Sequence, residues 1–125
     1  MTENEISGYL LNLFIKIHNE LGPGLLESVY EEVICYELKK AGIPFKRQLP
    51  IPIIREGIKL KVGFRADLII LDKVVVELKS IEKLAPVHYK TLLTYLRLTN
   101  KKLGILTNFN VVLLKDGFHR IVNKL

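Results

Sequence analysis

The sequence predicts an α/β (or α+β) fold around one mixed β-sheet. Three observations carry that expectation. Apolar residues recur at helical spacing through residues 2–40, the pattern turns to strand alternation between Ile43 and Lys79, and one more helical stretch is followed by short apolar runs. With 125 residues, 49% of them hydrophobic, the chain suits one domain spanning 1–125 and is too apolar for disorder. No apolar run approaches the roughly 20 residues that cross a bilayer, so no membrane role is expected. The start, Met1-Thr2-Glu3-Asn4-Glu5, is acidic and lacks the basic opening of a signal peptide. One cysteine, Cys35, cannot form an internal disulfide, which fits a reducing, cytoplasmic setting. A net charge of +6 favours an anionic partner, nucleic acid first among them.

Residues 2–20 form the first expected helix. Ile6, Tyr9, Leu10, Leu13, Phe14 and Ile17 make one apolar stripe, and Thr2 with Glu5 has capping-box spacing. Gly22-Pro23-Gly24 then breaks the chain. A second helix runs from about Leu25 to Lys40, with Leu26, Val29, Tyr30, Val33, Ile34 and Ala41 as its stripe and Gly42 as its stop. Phe45 to Arg55 contains Pro50 and Pro52, which lack a ladder donor, so an edge strand is expected. Glu56-Gly57 turns into Ile58–Val62, Gly63 separates that run from Phe64–Leu71, and Asp72-Lys73 leads to Val74–Lys79. Residues 86–99 return to helical period, with Pro86 in the first turn and Tyr89, Leu92, Leu93 and Leu96 inward. Leu103–Thr107 reads as a fully covered strand, and Val111–Leu114 and Phe118–Val122 flank Asp116-Gly117 as a hairpin. The expected order is ααββββαβββ.

The informative stretch is Phe64 to Lys79. In an antiparallel hairpin with Asp67 opposite Glu77, Arg65 faces Lys79 and Ile69 faces Val75. The other face then pairs Ala66 with Leu78, Leu68 with Val76 and Ile70 with Val74, and is wholly apolar. A one-residue slip mixes charge into both faces, so the unmixed register is expected, with an odd-numbered loop around Asp72 or a bulge. It projects Asp67, Glu77 and Lys79 together.

Adjacent carboxylates are costly unless something positive lies between them. Lys79 supplies part of that charge, and magnesium, which accepts one or two carboxylates and retains waters, supplies more. A metal there would bind a phosphodiester oxygen and lower the pKa of a bound water. The plainer alternative is a solvated charge ladder worth a few tenths of a kcal/mol per pair. Glu27, in the first turn of the second helix and bordering its stripe, is a third acid; a helix-dipole role is its plainer reading. Glu31 and Glu32 read as ordinary solvated charges.

Gly24-x-x-Glu27-x-x-Tyr30, followed by Arg65-Ala66-Asp67-Leu68 and Glu77-Leu78-Lys79, resembles the GxxExxY protein family, which is assigned to the PD-(D/E)XK nuclease superfamily. The likeness runs from about His18 to Ile121. It implies a restriction-endonuclease-like core, a central mixed β-sheet flanked by helices, and a metal-dependent nuclease acting on DNA more than RNA, with Mg2+ (or Mn2+) held by Asp67, Glu77 and the Leu78 backbone carbonyl. It also implies that Lys79 is the catalytic lysine and that Glu27 is a catalytic acid touching a metal or its water. Ala66-Asp67 stands where the superfamily name has Pro-Asp, and Thr91 stands where similar members carry glutamine. Arg65, with Lys90 and Arg97 two turns apart on one helix, would contact phosphates. The alternative is an inactive nuclease-fold module that binds nucleic acid or a protein. Closeness to a minimal core fits a homodimer or a complex.

Other chemistry is not supported. His18, His88 and His119 have no zinc-type spacing among themselves or with Cys35. Cys35 beside Ile34 reads as a packed thiol. Gly22-Pro23-Gly24 lacks the lysine of a phosphate-binding loop.

Overall fold

A computed structural model describes the backbone of residues 1–125 and every side chain except those of Lys61 and Val62. Helix α1 (Glu3–Leu21) opens with the expected capping box, Thr2 and Glu5 each accepting the other's backbone N–H. Helix α2 (Glu27–Lys40) follows the glycine-proline break. Strands β1 (Phe45–Arg55), β2 (Ile58–Ile70) and β3 (Val74–Lys79) form an antiparallel meander. Helix α3 (Pro86–Thr99) crosses over to β4 (Leu103–Asn108), which pairs parallel with β3. The one-turn helix α4 (Leu114–Gly117) leads into β5 (Phe118–Val122), antiparallel to β4. The result is a five-stranded mixed sheet in the order β1-β2-β3-β4-β5, flanked by helices.

The order α1-α2-β1-β2-β3-α3-β4-α4-β5 replaces the expected ααββββαβββ in two places. Ile58–Val62 and Phe64–Leu71 are one strand, because Gly63 does not turn. It lies against β1 so closely that a Cβ would sit 2.1 Å from the Ile51 carbonyl oxygen. Val111–Leu114 is not a strand: residues 111–113 bend and Leu114 starts α4, whose Gly117 packs on the Asn108 backbone. No helix among the described residues is long and apolar enough to cross a membrane.

Apolar residues fill both sides of the sheet. Ile6, Leu10, Phe14 and Ile17 of α1, with Tyr30, Ile34 and Leu38 of α2, cover Leu68, Ile70, Val74, Val76 and Leu78. Leu92 and Leu96 of α3 cover Ile69, Val75 and Leu106 on the opposite side. Gly104 admits this helix, since a Cβ there would meet Leu92 Cδ2 at 2.9 Å. The expected stripe of α2 is displaced: Leu26 is 75% exposed, and Val29 and Ala41 are exposed too. The buried set is Tyr30, Glu31, Ile34, Cys35 and Leu38. Cys35 is a packed thiol whose pKa burial pushes up to about 11, unsuited to nucleophilic work.

The link between α1 and α2 is held by Tyr30. Its hydroxyl donates to the Gly22 carbonyl at 2.6 Å and accepts the Leu25 N–H at 3.2 Å, while its ring stacks on Phe109 at 4.3 Å. Gly24 has φ +87°, a backbone state that other residues adopt only with strain.

Two outcomes follow for stability. Tyr30→Phe should cost about 1–2 kcal/mol in urea denaturation, from two lost hydrogen bonds at a fully buried group. Gly63→Ala should destabilise more than Gly104→Ala, because the obstacle at Gly63 is backbone whereas the Leu92 side chain can shift; overpacking of the latter kind costs roughly 1–3 kcal/mol. Equal midpoints for the two alanine variants would contradict this.

Candidate active site

The β2–β3 hairpin adopts the register its apolar pattern requires, with Leu68 opposite Val76, Ile69 opposite Val75 and Ile70 opposite Val74. Its loop is three residues, Leu71 to Lys73, with Leu71 and Asp72 at positive φ. Pairing stops at Leu68. One residue further, Asp67 Oδ2 accepts the Leu78 N–H at 2.8 Å, so a side chain takes the place of a ladder contact.

This bond changes the face that β2 presents. A straight strand would put Ala66, Leu68 and Ile70 on one side. Instead Ala66 packs with Ile69, Leu92 and Phe64 under α3, while Leu68 and Ile70 lie under α1 and α2. The expected apolar pairing of Ala66 with Leu78 is therefore corrected: β2 switches sides at Asp67. Across the sheet, Gln48 of β1 takes φ 49° between the pairs Arg47–Leu68 and Leu49–Ala66.

Asp67 thus sits in the opening between β2 and β3 and serves two surroundings. It lines a cavity of about 260 Å³ with Glu27, Ser28, Glu31, Gln48 and Leu78. It also lies beside Glu77. Burial, then the adjacent Asp67 carboxylate, push the Glu77 pKa up to about 9, against the pull of Lys79. Glu77 therefore holds a proton at neutral pH. Glu77 Oε1 is buried without a hydrogen-bond partner among the described residues, a situation costing about 1–3 kcal/mol. Burial and the charges of Glu77 and Asp67 also raise the pKa of the Tyr95 hydroxyl on α3.

Lys79 is half-buried at the end of β3, where its carbonyl accepts the Phe109 N–H at 2.9 Å. Glu27 comes to this strand end from α2. Its Oε1 accepts the Ser80 N–H at 3.3 Å, and Ser80 Oγ donates to the Leu25 carbonyl at 2.5 Å. Glu27 thus shares a cavity with Asp67 and a contact with the residue after Lys79. Among the described residues no three or more His, Cys, Asp or Glu side chains stand together at metal-holding separation. The donors adjacent at the opening are Asp67 and Glu77.

The chemistry of that pair fits a hard divalent cation. Both are oxygen donors, Glu77 Oε1 lacks a partner among the described residues, and added positive charge would favour the ionised form of Glu77. Leu78, between Glu77 and Lys79, lines the cavity with Asp67.

Several participants were not expected from the sequence. Glu31, taken there as a solvated charge, is buried: it accepts Arg47 Nη2 at 2.8 Å and Gln48 Nε2 at 2.6 Å. Gln48 Nε2 also reaches Asp67 Oδ1 at 3.3 Å, completing a line from Arg47 through Glu31 and Gln48 to Asp67. The available signal was the spacing of Glu31 four before Cys35 and one after Tyr30, which places it at the buried face. Glu32, by contrast, is exposed as expected. Tyr95 stacks on Phe64 with ring centroids 3.4 Å apart. Arg65, Lys90 and Arg97 are all exposed, Arg65 on β2 and the other two on α3.

A family model described as the PD-(D/E)XK nuclease superfamily matches residues 4–121. No match is found among curated proteins or among solved structures. An aspartate at the parting of two strands, a glutamate and lysine alternating on the next, and a mixed sheet between helices are joined here by a match across nearly the whole chain: it belongs to the PD-(D/E)XK nuclease superfamily.

Proposed function

We propose that this protein hydrolyses phosphodiester bonds of nucleic acid, DNA rather than RNA, with Mg2+ or Mn2+ as cofactor. The observation that carries the reading is the pair Asp67 and Glu77 in the opening between β2 and β3, where Glu77 Oε1 has no partner among the described residues. A buried carboxylate oxygen left without a partner is expensive, and a site that binds a cation would account for keeping it.

In this reading Asp67, Glu77 and the Leu78 carbonyl would hold the metal, which when bound would supply Lewis-acid charge to the phosphate and lower the pKa of attacking water. Asp67 is already oriented by the Leu78 N–H and Gln48. Glu77 would serve as a ligand in its ionised form, its proton passing to solvent. Lys79, two residues along from Glu77, offsets charge developing on the phosphate oxygens and orients the water. Glu27 fixes the Ser80 backbone next to Lys79 and borders the water-accessible side. Arg65, Lys90 and Arg97 contact backbone phosphates.

Purified wild type should cleave DNA in a panel of single-stranded, duplex and branched substrates only when Mg2+ or Mn2+ is added. Lys79→Ala should lower the rate by about 100-fold or more with its melting temperature little changed. Absence of cleavage of every DNA and RNA substrate under both metals would defeat the proposal.

The raised Glu77 pKa gives a second outcome. Between the ordinary 4.5 and about 9, the folded form keeps a proton that the unfolded chain releases. Without metal, this contribution to stability is full below pH 4.5 and is lost as pH rises through about 9. Glu77→Gln should remove that slope and melt higher than wild type at pH 9. Added Mg2+ should stabilise wild type and leave Glu77→Gln unmoved. Equal metal responses in thermal denaturation would rule out Glu77 as a ligand.

A further inference from the structure

Beyond Asp67 the first two strands leave the sheet. Pairing of β2 with β3 is confined to Leu68, Ile69 and Ile70, whereas β1 and β2 continue together to Arg55 and Ile58. Residues 49–66 therefore form a two-stranded ribbon about 20–25 Å long at ordinary strand rise, its base (Leu49, Ile51, Phe64 and Ala66) packed against α3. Its tip, Glu56-Gly57, is a tight turn with both residues at positive φ.

The ribbon is basic. It contains Arg55, Lys59, Lys61 and Arg65 against the single acid Glu56, so it carries +3, half of the chain's net +6, and Lys46 and Arg47 lie just before it. Arg47 is engaged by Glu31 and Glu32. Lys46, Arg55, Lys59 and Arg65 are exposed and make no ion pair with the described residues. Lys59 and Arg65 line a cavity of about 720 Å³ on the ribbon, whose other walls are apolar, Phe64 and Leu60 among them. Ile54 and Ile58 at the tip are each 64% exposed.

We infer that the β1–β2 ribbon is a duplex-DNA-binding arm that enters the major groove and leads the backbone toward Asp67. A two-stranded ribbon fits that groove, which is about 12 Å wide. Basic side chains along the arm meet phosphates on its two rims, and the exposed isoleucines at the tip meet thymine methyl groups and sugars. Arg65 lies two residues from Asp67, so phosphate held at the arm's base is next to the carboxylates. Strand addition by a second copy is disfavoured, because Pro50 and Pro52 give the outer edge of β1 no donor at those positions. The inference rests on the nuclease reading for its choice of ligand.

The test is binding of a labelled duplex of about 25 base pairs to the full chain without divalent metal, at several salt concentrations. The arm pair Arg55→Glu/Lys59→Glu is compared with Lys16→Glu/Lys115→Glu, the same charge change on α1 and α4. The arm pair should bind at least about tenfold more weakly, and its slope of log K against log salt should be shallower by about 2, while the control pair loses much less. If the reversal unfolds the chain, Arg55→Gln/Lys59→Gln is read instead. Wild type that does not bind duplex, or equal losses in the two pairs, would overturn the arm. So would a dimeric wild type that the arm pair turns monomeric with DNA affinity unchanged. Cleavage that persists with an unaltered arm-pair affinity removes the arm and keeps the nuclease. Arm-dependent binding with no cleavage removes the nuclease and keeps the arm.

Discussion

The Leu78 N–H donated to Asp67 Oδ2 is the contact on which the rest of the site depends. A backbone donor near the middle of a sheet must find an acceptor. Here it finds a carboxylate, and the consequence is mechanical as well as electrostatic. The β2–β3 ladder ends, β2 turns its other face to α3, and the ribbon is free to leave the sheet. The same opening brings the Asp67 carboxylate beside Glu77. One charge-assisted bond therefore makes the gap, supplies its first acid and defines the base of the basic arm.

The Gly24-Glu27-Tyr30 spacing has a structural explanation that complements any chemical one. Tyr30 ties Gly22 to Leu25, Leu25 accepts the Ser80 hydroxyl, and Glu27 accepts the Ser80 N–H. Asn108 and Asn110 complete the arrangement by binding Ile81. The α1–α2 link, the end of β3 and the end of β4 are thereby locked around Lys79. Glu27 acts here through backbone placement, whatever else it touches when the site is filled.

The parts of this structure that were legible from residues are those governed by local pattern. The register of β2 on β3 followed from keeping charge off one face, and the odd loop at Asp72 followed from that register. The edge position of β1 followed from Pro50 and Pro52, and full cover of β4 from its unbroken apolar run. What escaped depends on contacts distant in sequence. Gly63 resembles a break until Ile51 is seen pressed against it. The face change at Asp67 requires a bond to Leu78, eleven residues on. Glu31 reads as a solvated acid unless Arg47 and Gln48 are known to arrive beside it. In Val111–Leu114 the apolar run met the need to seat Gly117 on Asn108, and packing prevailed over alternation.

Glu31 and Glu77 separate a structural acid from a chemical one. Glu31 is 8% exposed and fully engaged: a guanidinium lies at 2.8 Å and an amide at 2.6 Å, so its charge is matched within the protein. Such an acid holds α2 against β1 and asks nothing of solvent or solute. Glu77 is half-buried with its Oε1 covered, yet its neighbour is another carboxylate, and Lys79 offsets only part of the resulting penalty. Without added positive charge the pair is relieved by retaining a proton, at the expense of the ionised form a metal requires. On the proposed reading a cation would relieve Glu77, whereas Glu31 is already matched by Arg47 and Gln48. That difference arises because Arg47 sits on β1, within reach of α2, while the opening between β2 and β3 faces Tyr95 and the Lys79 end of β3. Stability is satisfied on the α2 side of Asp67 and left incomplete on its Glu77 side, which is where binding free energy can be gained.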